Sequence, residues 1–219
     1  VAAIYSVGLR DMSQYSRRFI ERNPGAEVEI EYLHPDKVVE AVLTGGADFG
    51  LASFPQSTRK LAALPWREEE MVLACSKSHR LASRRSLAVR ELEGEKYVGF
   101  DRDLVIRRKV DRFLREHGAA VDVVLEFDNI ENIKQAIEIS EGVALLPLPA
   151  LKRDVDAGTL AAVPLVDATL KRPLGIIHRR SPAPGRSAMQ FLELLRQPDD
   201  PGAREGAAGS VLTHKGGAR

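Results

Sequence analysis

The sequence predicts an α/β fold of two Rossmann-like units in series. Three observations point to it. Short apolar runs of strand length alternate with segments of helical periodicity. The alternation occurs twice, with a polar and basic stretch between the two rounds. Turn and helix-stop residues punctuate both rounds, as at Asn23-Pro24-Gly25, Gly45 and Gly118. A β–α–β–α–β order demands right-handed crossovers and a mainly parallel sheet with helices on its faces.

In chain order, Val1 to Tyr5 reads as a short buried strand, and Met12, Tyr15, Phe19 and Ile20 follow at helical spacing. Val28, Ile30 and Tyr32 alternate with Glu27, Glu29 and Glu31, the period of a half-buried strand with one acidic face. Asp36 offers an N-cap to a helix carrying Val38, Val39, Val42 and Leu43, with Gly45 past its end. Phe49 to Ala52 is the next buried strand. The second round opens with a strand at Met71 to Cys75, then a polar, basic stretch from Ser76 to Arg90 and a strand at Tyr97 to Phe100. Ile106, Val110, Phe113 and Leu114 mark a helix that ends near Gly118. A strand at Val121 to Phe127, a helix with Ile130, Ile133 and Ile137 on one face, and a strand at Val143 to Leu146 complete it. Leu174 to Ile177 and the amphipathic stretch Ala188 to Leu195 are too little for a third unit, so they are expected to return to the first. From Gln197 onward Gly, Ala, Pro and charged residues dominate, which predicts a mobile tail over 197–219.

Composition narrows the function classes. The 219 residues are 44% hydrophobic, enough for one large domain or two small lobes with their own cores. Lys plus Arg (32) nearly balances Asp plus Glu (31), so no broad cationic field draws this segment onto nucleic acid. The longest apolar runs fall far short of the roughly 20 residues that span a bilayer. The lone Cys75 lies in an apolar run, where a buried, inert thiol is expected, and a reducing cytoplasm fits. The abrupt start at Val1, inside an apolar run and without an initiator Met, suggests a piece of a longer protein.

The familiar chemical signatures GxxxxGK[ST], GxGxxG, HExxH, CxxC and GxSxG do not occur. The five histidines show no metal-ligand spacing, and the carboxylate runs Glu68 to Glu70 and Asp199-Asp200 read as solvated surface. No catalytic residue, metal or cofactor is therefore expected. What remains are four strand ends, since ligands of open α/β sheets bind outside the carboxyl ends of the strands. Ser6 and Val7 follow the first strand, and Ser53 and Phe54 the third. Phe100 and Asp101 close the Tyr97 strand, while Asp128, Asn129 and Ile130 follow the Val121 strand. Ser6, Asp101 and Asn129 serve equally well as helix N-caps or as ligand contacts, and their joint placement favours the second role.

Several of these segments, taken together, resemble the effector-binding domain of LysR-type transcriptional regulators. Val1 to Leu9, Arg18-Phe19-Ile20-Glu21-Arg22-Asn23-Pro24-Gly25 and Val39 to Ala52, with Gly45-Gly46-Ala47-Asp48-Phe49, are similar to its opening. Leu64-Pro65-Trp66 through Leu73, Lys77-Ser78-His79-Arg80-Leu81-Ala82 and Leu92-Glu93-Gly94 resemble the segment that leaves the first lobe. Ser140-Glu141-Gly142 through Pro147 resembles the Gly-containing turn into a buried strand. The order and spacing of these pieces carry the resemblance, from Val1 to about Leu195. Within the family, Phe19-Ile20-Glu21-Arg22 and Ala47-Asp48-Phe49 are most similar to the sulfur-metabolism regulators, although Ile4, Val7 and Arg80 depart from them.

The resemblance implies a periplasmic-binding-protein type 2 like fold: two lobes joined by two crossover strands, near Ala74-Cys75 and Leu174 to Ile177. Lobe I would span 1–74 and 177–196, and lobe II 75–176. A small effector, an organic or inorganic anion, would lie between them on Ser6, Val7, Ser53 and Phe54 from one lobe and Phe100, Asp101, Asn129 and Ile130 from the other. Asp101 and Glu131 would oppose a strongly anionic ligand unless Arg102 neutralises them. The resemblance further implies side-by-side homodimers through the first helix and the Val28 to Tyr32 strand, a tetramer in the full-length protein, and DNA contact only through an N-terminal winged helix-turn-helix outside this chain. Two other readings share the scaffold. One is a transporter's solute-binding protein, which a signal peptide upstream would mark; the other is an enzyme of the porphyrin pathway, which needs a catalytic Asp or attachment Cys in the cleft.

Overall fold

Apolar runs flanked by helices pair into one sheet in the computed structural model, which describes residues 1–7 and 9–197. The tail expected over 197–219 lies, from residue 198, outside the described residues. The first unit comprises β1 (Ala2–Ile4), α1 (Leu9–Arg22), β2 (Glu31–Leu33), α2 (Pro35–Thr44) and β3 (Phe49–Ser53). A 16-residue strand, β4 (Leu61–Ser76), leads out of it. The second unit holds β5 (Lys96–Phe100), α3 (Val105–Glu116), β6 (Asp122–Phe127), α4 (Ile130–Ser140), β7 (Val143–Pro147), α5 (Leu148–Ala157) and β8 (Leu160–Val163). The chain returns through β9 (Leu170–Arg179) and ends on α6 (Arg186–Arg196). The strand order is β2-β1-β3-β9-β4-β7-β5-β6, with β8 paired on β4.

Two separate cores divide this sheet. Met12, Phe19, Phe49, Leu51, Ile176 and Phe191 belong to the first, where the Phe191 ring lies 4.9 Å from Phe19 and 5.8 Å from Phe49. Leu73, Tyr97, Ile133, Ile137, Leu145 and Leu160 belong to the second. Full burial of each such side chain contributes about 1.5–3 kcal/mol. Phe191, Leu192, Leu194 and Leu195 of α6 pack in the first core.

The crossing strands carry the change from one core to the other. On β4, Leu61 packs in the first core and Met71 onward in the second; on β9, Leu170 packs against the second and Leu174 onward in the first. Between these points β4 and β9 pair antiparallel with each other, Glu68 opposite Pro173, Glu69 opposite Arg172 and Glu70 opposite Lys171. The passage thus lies between Leu61 and Met71 on β4 and between Leu170 and Leu174 on β9. A register shift between Pro65 and Arg67 explains how a proline, which lacks the ladder donor, sits within so long a strand.

Local expectations differ from the structure at four places. Pairing of β2 begins only at Glu31, because 26–30 run beside the Val1 end without forming a ladder, and Val28 and Ile30 pack against the core from there. His34, not Asp36, is the N-cap of α2, since Pro35 occupies the first helical position; Asp36 falls in the first turn. The strand expected at Met71 to Cys75 is only the end of β4, whose Pro65 and Glu68-Glu69-Glu70 masked its first ten residues. Helix α5 and strand β8 add to the elements read from the sequence; Pro149 sits in the first helical turn, which needs no donor from it.

Candidate functional site

Parallel pairing aligns the carboxyl ends of the strands in each lobe. In the first, Ile4 of β1 pairs with Leu33 of β2, and Ala3 with Leu51 of β3, so Ser6, His34 and Ser53 follow along one edge. In the second, Phe100 of β5 pairs with Phe127 of β6, which leaves Asp101 and Asn129 at the corresponding edge. The two edges face each other, for His34 Nε2 lies 3.9 Å from Asp103 Oδ2.

Each of the eight expected residues has a distinct place. Ser6 is half-buried, and its Oγ accepts from Arg172 Nη1 at 2.9 Å. Val7 is buried in the first core and its N–H donates to the Ile4 carbonyl at 3.0 Å, so this amide is already engaged. Ser53 ends β3 half-buried, opposite Leu174. Phe54 adopts a left-handed φ of 49°, its N–H donating to the Pro173 carbonyl at 2.8 Å. Its ring packs against the second core, with Lys109 Nζ 6.0 Å from the ring centre, so it bridges the lobes. Phe100 is buried, and its carbonyl accepts from Arg107 Nη1 at 2.6 Å. Asp101 is half-buried, with its N–H donating to the Phe127 carbonyl at 2.9 Å. Asn129 is the N-cap of α4, its Oδ1 accepting from the Asn132 N–H at 2.9 Å, and Ile130 is buried in the second core. Of the N-cap candidates, Asn129 caps α4, whereas the N-cap of α3 is Leu104 and not Asp101.

The electrostatics of the two edges are unequal. Burial, and then the carboxylates of Asp103, Asp128 and Glu126, raise the Asp101 carboxyl above its ordinary range, while His34 opposes the shift. Arg102 does not relieve it: its Nε donates to Glu126 Oε1 at 3.1 Å. Arg107 Nη1 reaches the same oxygen at 2.6 Å, and that bond chiefly holds the Glu126 carboxyl below its usual range. The Glu131 charge is met by Lys134 Nζ at 2.9 Å.

Three further residues were not legible as site candidates. Arg172, only 2% exposed, donates from Nε to Glu69 Oε2 at 2.9 Å and from Nη2 to the same atom at 2.5 Å. Glu69 is therefore buried and paired, which corrects the reading of Glu68 to Glu70 as a solvated run at that residue; Glu68 and Glu70 are exposed, Glu68 with Lys171 Nζ at 2.9 Å. Strand alternation sends consecutive side chains to opposite faces, a signal that appears only once these residues are known to lie in a strand. His34 was read as an ordinary histidine, and only the loop after β2 brings it opposite Asp103. A groove of about 750 Å³ lies beside the crossing strands, lined by Phe54, Trp66, Val105, Lys109 and Leu174 among others. Among the described residues no group of three His, Cys, Asp or Glu side chains could hold a metal, and no helix is long and apolar enough to cross a membrane.

Comparison with known proteins places this geometry in a family. Residues 1–199 match the model of the LysR substrate binding domain. A probable RuBisCO transcriptional regulator of Cyanophora paradoxa is 25% identical over 199 residues, 88% of this chain and 61% of that protein. The HTH-type transcriptional regulator CysL of Bacillus subtilis is 22% identical over 178 residues, covering 81% of this chain and 60% of the relative. Among solved structures, the Synechocystis PCC6803 CcmR regulatory domain in complex with 2-PG superposes with a TM-score of 0.79 at 21% identity, over 89% of this chain and 93% of that one. The BenM effector binding domain with its effector benzoate gives 0.75 at 19% identity, over 90% and 89%. The fold is thus the periplasmic-binding-protein type 2 like fold of these domains. The chain belongs to the LysR substrate binding domain family, the effector-binding domain of LysR-type transcriptional regulators. It spans about three-fifths of the length of the curated relatives it matches.

Proposed function

We propose that the space between the two facing strand edges is a sensor cleft for a small-molecule effector, and that occupancy is read out as a change of lobe orientation. The observation that carries this reading is the placement of Ser6, Ser53, Asp101 and Asn129 at the carboxyl ends of strands from two lobes that share only β4 and β9 as connections. A ligand held by both edges favours one lobe orientation by no more than its difference in affinity for the two. The 2-PG and benzoate complexes of the neighbouring structures support a small organic anion here too. The charge distribution supports an orientation: the oxyanion end toward Ser6 and Arg172, the hydroxylated or apolar end toward Asp101.

In the whole regulator this domain acts as a side-by-side homodimer, assembled further into a tetramer, in the cytoplasm. A DNA-binding winged helix-turn-helix outside these residues transmits the change; the domain itself catalyses nothing. The test is a thermal-shift screen of 2-PG, benzoate, shikimate, sulfate and small carboxylates, repeated with Ser53→Ala. A compound that raises the melting temperature of the wild type and not of the variant supports the cleft, and equal shifts in both remove it from these residues.

A further inference from the structure

We propose that Arg172 is a positioning residue of the effector cleft, which holds Ser6 as a directed hydrogen-bond donor and so sets the first turn to recognise an oxyanion. This rests on the reading of the cleft as an effector site. Arginine carries donors and no acceptor, so in the 2.9 Å contact Ser6 Oγ must accept from Nη1. Among the described residues the Ser6 side chain makes no other hydrogen bond, and its single hydroxyl hydrogen is left to donate. A free serine can accept twice or donate once to a ligand; with one lone pair taken by Nη1, this one is biased toward donating its hydrogen.

The guanidinium is itself fixed. Glu69 Oε2 takes both Nε and Nη2, and the pair sits on opposed residues of β4 and β9, closed to solvent. A planar fork held on one side cannot swing away from Ser6. Burial lowers the guanidinium's pKa and Glu69 opposes the change; an arginine paired with a carboxylate stays charged beside the hydroxyl. A half-buried donor next to a cation that is itself closed to solvent favours carboxylate, phosphate or sulfate oxygens over neutral carbonyls. Because Arg172 also lies on a crossing strand, the same contact ties the ligand-facing turn to the connection between the lobes.

The experiment is an amide-shift NMR titration of the isotopically labelled chain with acetate and sulfate, and with acetamide and glycerol as uncharged controls. The wild type is compared with Ser6→Ala and with the doubly neutralised Glu69→Gln/Arg172→Gln, whose pair keeps its volume and zero net charge. We expect acetate and sulfate to move the Ser6 and Val7 amides saturably, with affinity reduced about tenfold in either variant and no further when both changes are combined. A merely structural Arg172 would lower the melting temperature and leave the ratio of acetate to acetamide affinity unchanged, and that result overturns the proposal. Should the doubly neutralised chain fail to fold, Arg172→Lys replaces it, because it retains charge and loses the fork. If acetamide or glycerol perturbs the cleft amides and the anions do not, the cleft stands and the donor role falls. If none of the four moves amides at Ser6, Ser53 or Asp101, both readings fall together.

Discussion

Glu69 and Arg172 face each other across the two strands that join the lobes, and their ion pair is almost closed to solvent, at 10% and 2% side-chain exposure. Removing one member leaves an uncompensated buried charge, which costs about 3–5 kcal/mol. Glu69→Ala or Arg172→Ala should therefore shift the denaturant midpoint strongly. Joint replacement by Met and Leu of similar volume should cost far less, because neither charge then needs desolvating. Urea denaturation of the three variants checks this; equal losses in the single and joint replacements would show that packing, and not charge pairing, holds the crossing strands.

Asp101 makes stability depend on pH with a defined sign. Its carboxyl is raised, chiefly by burial and then by Asp103, Asp128 and Glu126. The folded state thus favours the protonated acid: the contribution is fully present below the unfolded pKa, near 3.9, and is lost as pH rises through the folded value. Asp101→Asn should melt higher than the wild type at pH 7 and near it at pH 3.5, with the gap at pH 7 narrowing in high salt. Melting curves at both pH values decide it, and a lower melting temperature for the variant at neutral pH would mean that the carboxylate makes a compensating bond.

The alternation of strands and helices was legible because both lobes bury continuous apolar runs, such as Phe49 to Ala52 and Val143 to Leu146, between helices with clear periodicity. Of the site, the strand ends could be located, since chain order alone puts Ser6, Ser53, Asp101 and Asn129 after strands. What escaped depends on pairing between distant segments. Glu69 and Arg172 lie 103 positions apart, and each looks like part of a surface charge run until β4 is set against β9. Val7 and Ile130 show the converse: their place at a strand end says nothing of the core that takes up their side chains.

Gly175 is a point where backbone spacing shapes the Ser53 corner. A Cβ added there would lie 2.4 Å from Pro55 Cγ and 2.7 Å from the Leu64 carbonyl oxygen, the second being backbone that cannot swing aside. Gly175→Ala should push the segment after β3 away from β9, at about 1–3 kcal/mol. The Phe54 N–H bond to the Pro173 carbonyl lies on the same seam, so ligand-induced thermal shifts should shrink along with stability. Unchanged ligand shifts in a destabilised variant would separate this corner from the cleft.

Cys75 supplies a probe of the second lobe that needs no substitution. It is fully buried on β4 between β7 and β8, and burial pushes its thiol up to about 11, with Lys77 pulling the other way. At pH 8 the reactive thiolate is on the order of a thousandth of the population, and the sulfur is also out of reach of a bulky disulfide reagent. Labelling should therefore be slow in the native chain and complete in guanidinium chloride, its native rate following the population of an opened state. A ligand that binds only the closed cleft lowers that population in proportion to its saturation, so an effector should slow the labelling in the same order as it raises the melting temperature. Fast native labelling that no ligand alters would mean that β4 separates from β7 and β8 without the lobes taking part, and the thiol would then report fraying of that strand alone.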